Sequence, residues 1–256
     1  MYKNATNNYT NQTNWPIKSY ADMRKITPGQ ILYFQFLLWS AVSCGIFTTW
    51  LLLANLPLGD FRGIILTVSG IIFVYCYAFL IYRLFLRHRP LQEGYLSEGS
   101  AEEFTAQVNI LFYLLLFNSL IRTHFLPVPL MRLVYLALGA KLGDNTYSAG
   151  TILDPPLTYI GANTIIGHDA ALFSHAIEGS HFSLNAIHIG NNVTIGATAV
   201  IMSDVIIGDG AIVSAAAVVS KGTRIAAGEV WGGIPARLLK AAPSADNDAT
   251  AGKKTA

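Results

Sequence analysis

Seven aliphatic residues, Ile189, Ile195, Ile201, Ile207, Val213, Val219 and Ile225, follow one another at strict six-residue intervals. Neither a helix, with its period of 3.6, nor a half-buried strand, with its period of 2, produces that spacing. The residue after each is small at most steps (Gly190, Gly196, Gly208, Ser214, Ser220 and Ala226, with Met202 the exception). Four residues after the aliphatics come Val193, Ala199, Val205, Ala211, Ala217 and Thr223. The same frame extends upstream through Ile160-Gly161, Ile166-Gly167 and Leu172, and more faintly to Leu142-Gly143. The pattern predicts a prism in which each face is a short strand and every aliphatic stacks on its equivalents in the coils above and below. With three faces to a turn, Leu142 to Trp231 holds about five coils. Small residues, Asn and Asp suit the corners, where the chain must turn sharply.

The rest of the chain is governed by missing charge. Of 256 residues only 12% are charged, about half the usual share, while 52% are hydrophobic. That excludes disorder for most of the length and argues against a simple cytosolic globule. From Ile26 to Gly59 there is no charged residue, and Gly63 to Tyr82 is a second uncharged run. Each is long enough to cross a bilayer, which takes about 20 apolar residues. Trp39, Trp50, Tyr75, Tyr77 and Tyr82 suit the interfaces or the contact between the two helices. Lys18, Arg24 and Lys25 precede the pair and Arg83, Arg87 and Arg89 follow it, against Arg62 alone in the connecting turn. Both ends of this transmembrane hairpin are therefore expected at the cytoplasmic face. Phe104–Ile121 carries Thr105, Gln107, Asn109, Asn118 and Ser119, and Pro129–Lys141 has apolar residues at helical spacing beside Arg132. Both read as interfacial or re-entrant helices.

The expected organisation is a flexible polar start over 1–29, the hairpin over 30–90, amphipathic helices over 91–141, the repeat over 142–240 and a disordered tail over 241–256. Asn4, Asn8 and Asn11 stand in Asn-x-Thr sequons, which an Asn/Thr-rich segment also produces by composition. No signal peptide is expected, since the polar leader is long and no small-residue cleavage site follows the apolar run. Cys44 and Cys76 lie far apart in apolar runs, which excludes a disulfide scaffold. Net charge is +2, giving no footprint of a nucleic-acid binder. It divides into +5 over residues 1–141, −3 over 142–240 and a neutral tail, so the basic excess belongs to membrane topology.

The repeat resembles that of the hexapeptide-repeat acyltransferases over roughly 142–240. Its closing part, IHIGNNVTIGATAVIMSDVIIGDGAIVSAAAVVSKGTRIAAGEVWGGIPARLLK, is similar to the galactoside- and maltose-type acetyltransferases. The resemblance implies an all-β left-handed parallel β-helix, here preceded by the α-helical hairpin, and a handedness opposite to the usual crossover rule. It also implies a homotrimer with active sites between subunits and acetyl-CoA as co-substrate, lying near Gly233-Ile234-Pro235-Ala236-Arg237. The helical lead-in gives a weaker likeness to the C-terminal β-helix regions of ε-poly-lysine synthetase.

Between Leu172 and Ile189 the frame breaks, the interval being 17 residues, in the stretch LFSHAIEGSHFSLNAIHI. Such a break is where a β-helix ejects a loop, and loops on rigid scaffolds carry function. Four of the six histidines, His168, His175, His181 and His188, lie here or close by. In the family a histidine beside such a loop is the general base that deprotonates the acceptor, a role suited to imidazole near neutral pH. A backbone N–H of a neighbouring coil would hold the oxyanion. His175, three residues after Leu172, is the expected base, with Glu178 to orient it. The Thr-x-Thr-His-Pro stretch of the galactoside-type enzymes is missing here. His181 and His168 are expected at the substrate, His168 also reading as an exposed corner and His188 as a surface histidine on a strand. Gly196, Ala197, Ser214 and Ala215 would let a pantetheine arm approach the backbone, while Lys221 and Arg237 would meet phosphates. Trp231 reads as a cap on the last coil.

The function expected is acetyl transfer from acetyl-CoA to a hydroxyl of a cell-envelope or lipid-linked saccharide. The enzyme would be multi-pass in the inner (cytoplasmic) membrane, its catalytic domain on the cytoplasmic side, in contact with membrane lipid and not with nucleic acid. The poly-lysine synthetase likeness implies an alternative, amide formation on an amine acceptor. A non-enzymatic membrane scaffold is another. A γ-carbonic-anhydrase-like zinc enzyme would share the fold, but the histidine spacings of 7, 6 and 7 lack its close pair, and no metal is expected.

Overall fold

In the computed structural model of the chain, residues 25–123 and 125–242 are described. The sequons at Asn4, Asn8 and Asn11, the cations Lys18 and Arg24, and the tail from Pro243 lie outside the described residues.

The uncharged runs form two long helices, α1 (Pro28–Leu53) and α2 (Arg62–His88). Pro28 opens α1 at the position where its missing N–H costs nothing, and the Thr27 N–H donates to Gln30 Oε1 at 2.6 Å. The two helices run antiparallel, Gly45 against Val74 and Thr49 against Gly70. At Gly45 a side chain would overlap the Val74 backbone, so glycine there sets the close approach. Thr48 Oγ1 and Tyr77 OH meet at 2.9 Å across the same seam. A third helix, α3 (Ala101–Arg122), runs through a π-helical turn at Tyr113–Phe117. Four of its polar residues, Glu103, Thr105, Gln107 and Asn109, are buried, and Tyr82 OH donates to Asn109 Oδ1 at 2.7 Å. Phe112 packs edge-on to Phe34 of α1 at 5.1 Å and beside Tyr82 of α2. Asn109 thus spends its polarity between helices, while Thr105 and Gln107 bond within α3 and Ser119 is exposed. Among the described residues, three helices, Pro28–Leu53, Gly59–His88 and Ala101–Arg122, are long and apolar enough to cross a membrane by length and composition.

A shorter helix, α4 (Val128–Leu138), closes the first end of the repeat. Its buried Tyr135 donates to Gly150 O at 2.8 Å and accepts from the Ile152 N–H at 3.2 Å. Arg132 Nη1 donates to Gly143 O and Thr146 O. Arg132 and Tyr135 therefore satisfy the otherwise open edge of the first coil, while Leu130, Leu133 and Leu136 of the same helix are exposed.

Beyond α4 the chain winds through three parallel sheets. The first stacks Lys141–Leu142, Thr158–Ile160, Ile187–Ile189, Ile206–Ile207 and Arg224–Ile225. The second stacks Tyr147–Ser148, Ile165–Ile166, Thr194–Ile195, Ile212–Val213 and Val230–Gly232. The third stacks Thr151–Ile152, Ala171–Leu172, Val200–Ile201 and Val218–Val219. Register places Ile195 over Ile166 and under Val213, as the six-residue frame requires. The hexapeptide repeat on parallel sheets matches a left-handed β-helix. Asn145, Asn163, Asn192, Gly210 and Gly228 form one corner column, all at positive φ, the conformation that Asn and Gly adopt most readily. The strand Arg237–Lys240 turns back antiparallel on Val230–Gly232 and closes the far end over Trp231.

Ile201 is fully buried between Leu172 and Val219. Ile201→Ala is expected to lower stability by about 2–5 kcal/mol. The check is the melting temperature of the detergent-solubilised chain; an unchanged value would contradict the stacked core.

Candidate active site

The frame break is a hairpin. After Leu172 the chain leaves the third sheet, forms His175–Glu178 and His181–Leu184, turns at Gly179 with φ +63, and re-enters the first sheet at Ile187. The step from Leu172 to Ile189 exceeds a normal one by 11 residues (17 less 6). A strand from the α2–α3 connection, Gly94–Leu96, adds antiparallel to His181–Leu184, pairing Tyr95 with Ser183 and Leu96 with Phe182. A small core beneath, of Leu96, Ala106, Leu157, Phe182 and Leu184, fixes the hairpin to that connection. Glu93 Oε2 accepts the Ala186 N–H at 2.9 Å where the hairpin rejoins the coil. An ejected loop with this much support is a rigid platform.

His175 stands where the hairpin departs, 21% of its side chain exposed and the Phe173 ring edge-on at 5.9 Å. Its Nδ1 lies 2.6 Å from Asp154 Oδ2. That oxygen also accepts the backbone N–H groups of Ser174 at 3.0 Å and His175 at 3.1 Å. Asp154 is 1% exposed and leads into the short 3-10 turn Pro155–Leu157. Its carbonyl accepts the Leu157 N–H and Thr158 Oγ1, so the residue is held from both sides. Burial, the largest single influence, pushes the His175 pKa down; the Asp154 hydrogen bond and charge push it up, and together they leave it above its ordinary value. With Nδ1–H donated to a carboxylate, Nε2 carries the ring's lone pair, the arrangement of a general base.

The carboxylate on His175 is Asp154, not Glu178. Glu178 sits at the far end of the hairpin opposite His181, and its Oε2 lies 3.5 Å from Lys221 Nζ. Lys221 also donates to Ser183 Oγ at 3.1 Å, so its amine is directed at the hairpin. His181 is carried with Glu178 at the turn end, its ring perpendicular to Tyr95 at 5.4 Å. His168 is a corner residue with Nε2 3.2 Å from Asp169 Oδ2, its side chain largely exposed. His188 stacks on Tyr159 at 4.6 Å on the outer side of the first sheet. The four histidines do not converge: among the described residues no group of three or more His, Cys, Asp or Glu could hold a metal ion.

Gly196, Ala197, Ser214 and Ala215 share one corner with His168, stacked coil on coil; the Thr198 N–H donates to His168 O and the Ala216 N–H to Ala197 O. At Gly196 a side chain would meet the Ala215 backbone, so the coil above already demands glycine. Ala197 and Ala215 are exposed and leave the backbone open to a ligand. Arg237 is exposed on the closing strand.

A parallel β-helix of six-residue steps, carrying a buried carboxylate–imidazole pair at an ejected hairpin, is the class that fold and site define. Residues 186–221 match the family described as bacterial transferase hexapeptide (six repeats). A curated relative, the delta-poly-L-ornithine synthetase of Acinetobacter baumannii (strain AB307-0294), is 33% identical over 111 residues, 43% of this chain and 8% of that protein. The chain thus spans under a tenth of that relative's length. Two solved structures are among those similar to this chain. A hexapeptide-repeat acetyltransferase of Vibrio cholerae O1 biovar eltor, complexed with acetyl coenzyme A, is 18% identical with a TM-score of 0.46, over 62% of this chain and 98% of the other. A galactoside acetyltransferase in complex with coenzyme A is 21% identical with a TM-score of 0.45, over 65% and 93%.

Proposed function

We propose that the chain is a membrane-anchored acyltransferase that uses an acyl-CoA thioester, with His175 as general base and Asp154 as its partner. The observation that carries this reading is the 2.6 Å contact between His175 Nδ1 and buried Asp154, placed where the hairpin leaves the repeat. His175 Nε2 removes the proton from the acceptor hydroxyl as the oxygen attacks the thioester carbonyl; the C–S bond breaks and the imidazolium returns the proton to the departing thiolate. A backbone N–H of an adjacent coil would hold the oxyanion in between. The corner of Gly196, Ala197, Ser214 and Ala215 would carry the pantetheine arm, with Arg237 near the phosphates. Tyr147, Ile165 and Ile212, exposed on the outer side of the second sheet, offer apolar surface for the neighbouring subunits of a trimer.

The acceptor in this reading is a hydroxyl of a lipid-linked or cell-envelope saccharide, reached from the cytoplasmic face of the inner membrane. The apolar lengths of α1 and α2 and the cations at Arg83, Arg87 and Arg89 support the anchor and its orientation. The match to a poly-ornithine synthetase favours a second reading with the same base, in which an amine attacks and an amide forms.

Saturating acetyl-CoA is expected to raise the melting temperature of the purified chain, by linkage worth about 2.7 kcal/mol at 100 times Kd. It should also release free thiol when membrane extract supplies the acceptor. No shift and no thiol would remove both readings. A product cleaved by alkaline hydroxylamine is the ester of the first reading, whereas a resistant one is the amide of the second.

A further inference from the structure

Between the C-terminal end of α2 and the first sheet lies a cleft of about 600 Å³. Three cations line it, Arg83, Arg87 and Lys141, against one carboxylate, Glu93, whose Oε2 is already engaged by the Ala186 N–H. Among the described residues neither Arg83 nor Arg87 has a carboxylate partner. Lys141 is held in place, its Nζ 3.2 Å from Tyr159 OH and 4.3 Å from the centre of that ring. Three cations against one carboxylate leave this concave site net positive, which favours an anion.

The apolar half of the cleft says where that anion comes from. Leu80 and Leu84 line it together with Arg83 and Arg87, at positions i, i+4, i+3 and i+7 of one helix face. Leu80 and Leu84 are about half exposed, at 51% and 46%. The uncharged run Gly63–Tyr82 rises about 30 Å as a helix, the thickness of a bilayer's hydrocarbon core. Arg83 is therefore the first charged residue at headgroup depth, with a leucine wall leading to it from acyl-chain depth. A free inorganic anion has no use for that wall.

The cleft also borders the site. Leu157, on its lining, is three residues after Asp154 and accepts Ser174 Oγ at 3.3 Å, while Glu93 ties the same wall to the catalytic hairpin. We infer that this cleft binds the phosphate headgroup of a membrane lipid, Arg83, Arg87 and Lys141 holding the phosphate and Leu80 and Leu84 its first carbons. Resting on the acyltransferase reading, the lipid is the carrier of the acceptor, its phosphate gripped here so that the attached group reaches His175.

The test uses the full chain in detergent and native mass spectrometry with two probes, dioleoyl phosphatidic acid and dioleoyl phosphatidylcholine. Wild type is expected to retain the phosphatidic acid about tenfold better, and an Arg83→Gln/Arg87→Gln chain to lose that preference. Inorganic phosphate at about 10 mM should not displace the lipid, and the acetyl-CoA melting shift should persist in the double variant. If the double variant does not fold, Lys141→Gln alone should weaken the preference. Equal retention of both lipids, or displacement by inorganic phosphate, would overturn the lipid site. Loss of the acetyl-CoA shift in a folded double variant would also overturn it, giving the cations to the coenzyme. A wild type that keeps the lipid preference without any acetyl-CoA shift would retain the site and remove only its role in acyl transfer.

Discussion

His175→Ala is expected to reduce acyl transfer by about 10²–10⁴-fold, the usual contribution of a positioned general base. The size follows from what the side chain does at this place. The acceptor is a weak nucleophile with its proton on, and among the described residues His175 is the imidazole fixed by a buried carboxylate where the hairpin leaves the coil. Thioester binding uses other residues, so the acetyl-CoA melting shift should survive the substitution. That combination, lost turnover with retained binding, separates a chemical role from a structural one. His175→Ala protein with wild-type rate would end the assignment.

Asp154→Asn should cost about 10²-fold or more, although it keeps the side chain's shape and an oxygen acceptor for the Ser174 and His175 N–H groups. Two effects combine. The carboxylate fixes the Nδ1–H tautomer and stabilises the imidazolium formed in the reaction, whereas an amide does neither reliably. The same change alters the pH profile. In wild type the His175 pKa lies above its ordinary value, so the active, unprotonated base forms only as pH rises through that raised pKa. Removing Asp154's charge leaves burial, which favours the neutral ring, so the acid limb of the profile should move to lower pH. The measurement is the rate of thiol release against pH for both proteins. A profile unchanged in both rate and position would show that Asp154 merely packs.

The prism was legible because its physics has a single period: stacked inward aliphatics leave no choice of face, and the register of Ile195 with Ile166 and Val213 follows from counting. The hairpin was legible as a break in that count. What counting could not supply is Asp154. The first coil is shortened, Ser148 to Ile152 spanning four residues where the frame expects six. The third sheet therefore pairs Ile152 with Leu172 at a separation of 20 residues, and Asp154 falls beneath Ser174 outside the 18-residue frame. The visible signal was a lone Asp between Leu153 and two prolines, among apolar neighbours. Glu178, close to His175 in sequence, was the nearer carboxylate on paper, but the hairpin carries it to the opposite end, to Lys221. The strand Gly94–Leu96 was equally hidden, because three residues that add to an edge some 90 positions away leave no periodic trace. In α3 and α4 polar residues on a helix do not say whether water, lipid or another helix receives them. Here Asn109 receives Tyr82, and Arg132 the carbonyls of the first coil.

The proposed chemistry requires one spatial relation, the reacting thioester beside His175. A structure of the full chain with coenzyme A bound measures it. The coenzyme's sulfur is expected within about 3–5 Å of His175 Nε2, the reach of direct proton transfer to the leaving thiolate, with the pantetheine arm along the Ala197 and Ala215 corner of a neighbouring subunit. A sulfur lying well beyond that reach, for example beside His168 and Asp169 with His175 facing solvent, would contradict it.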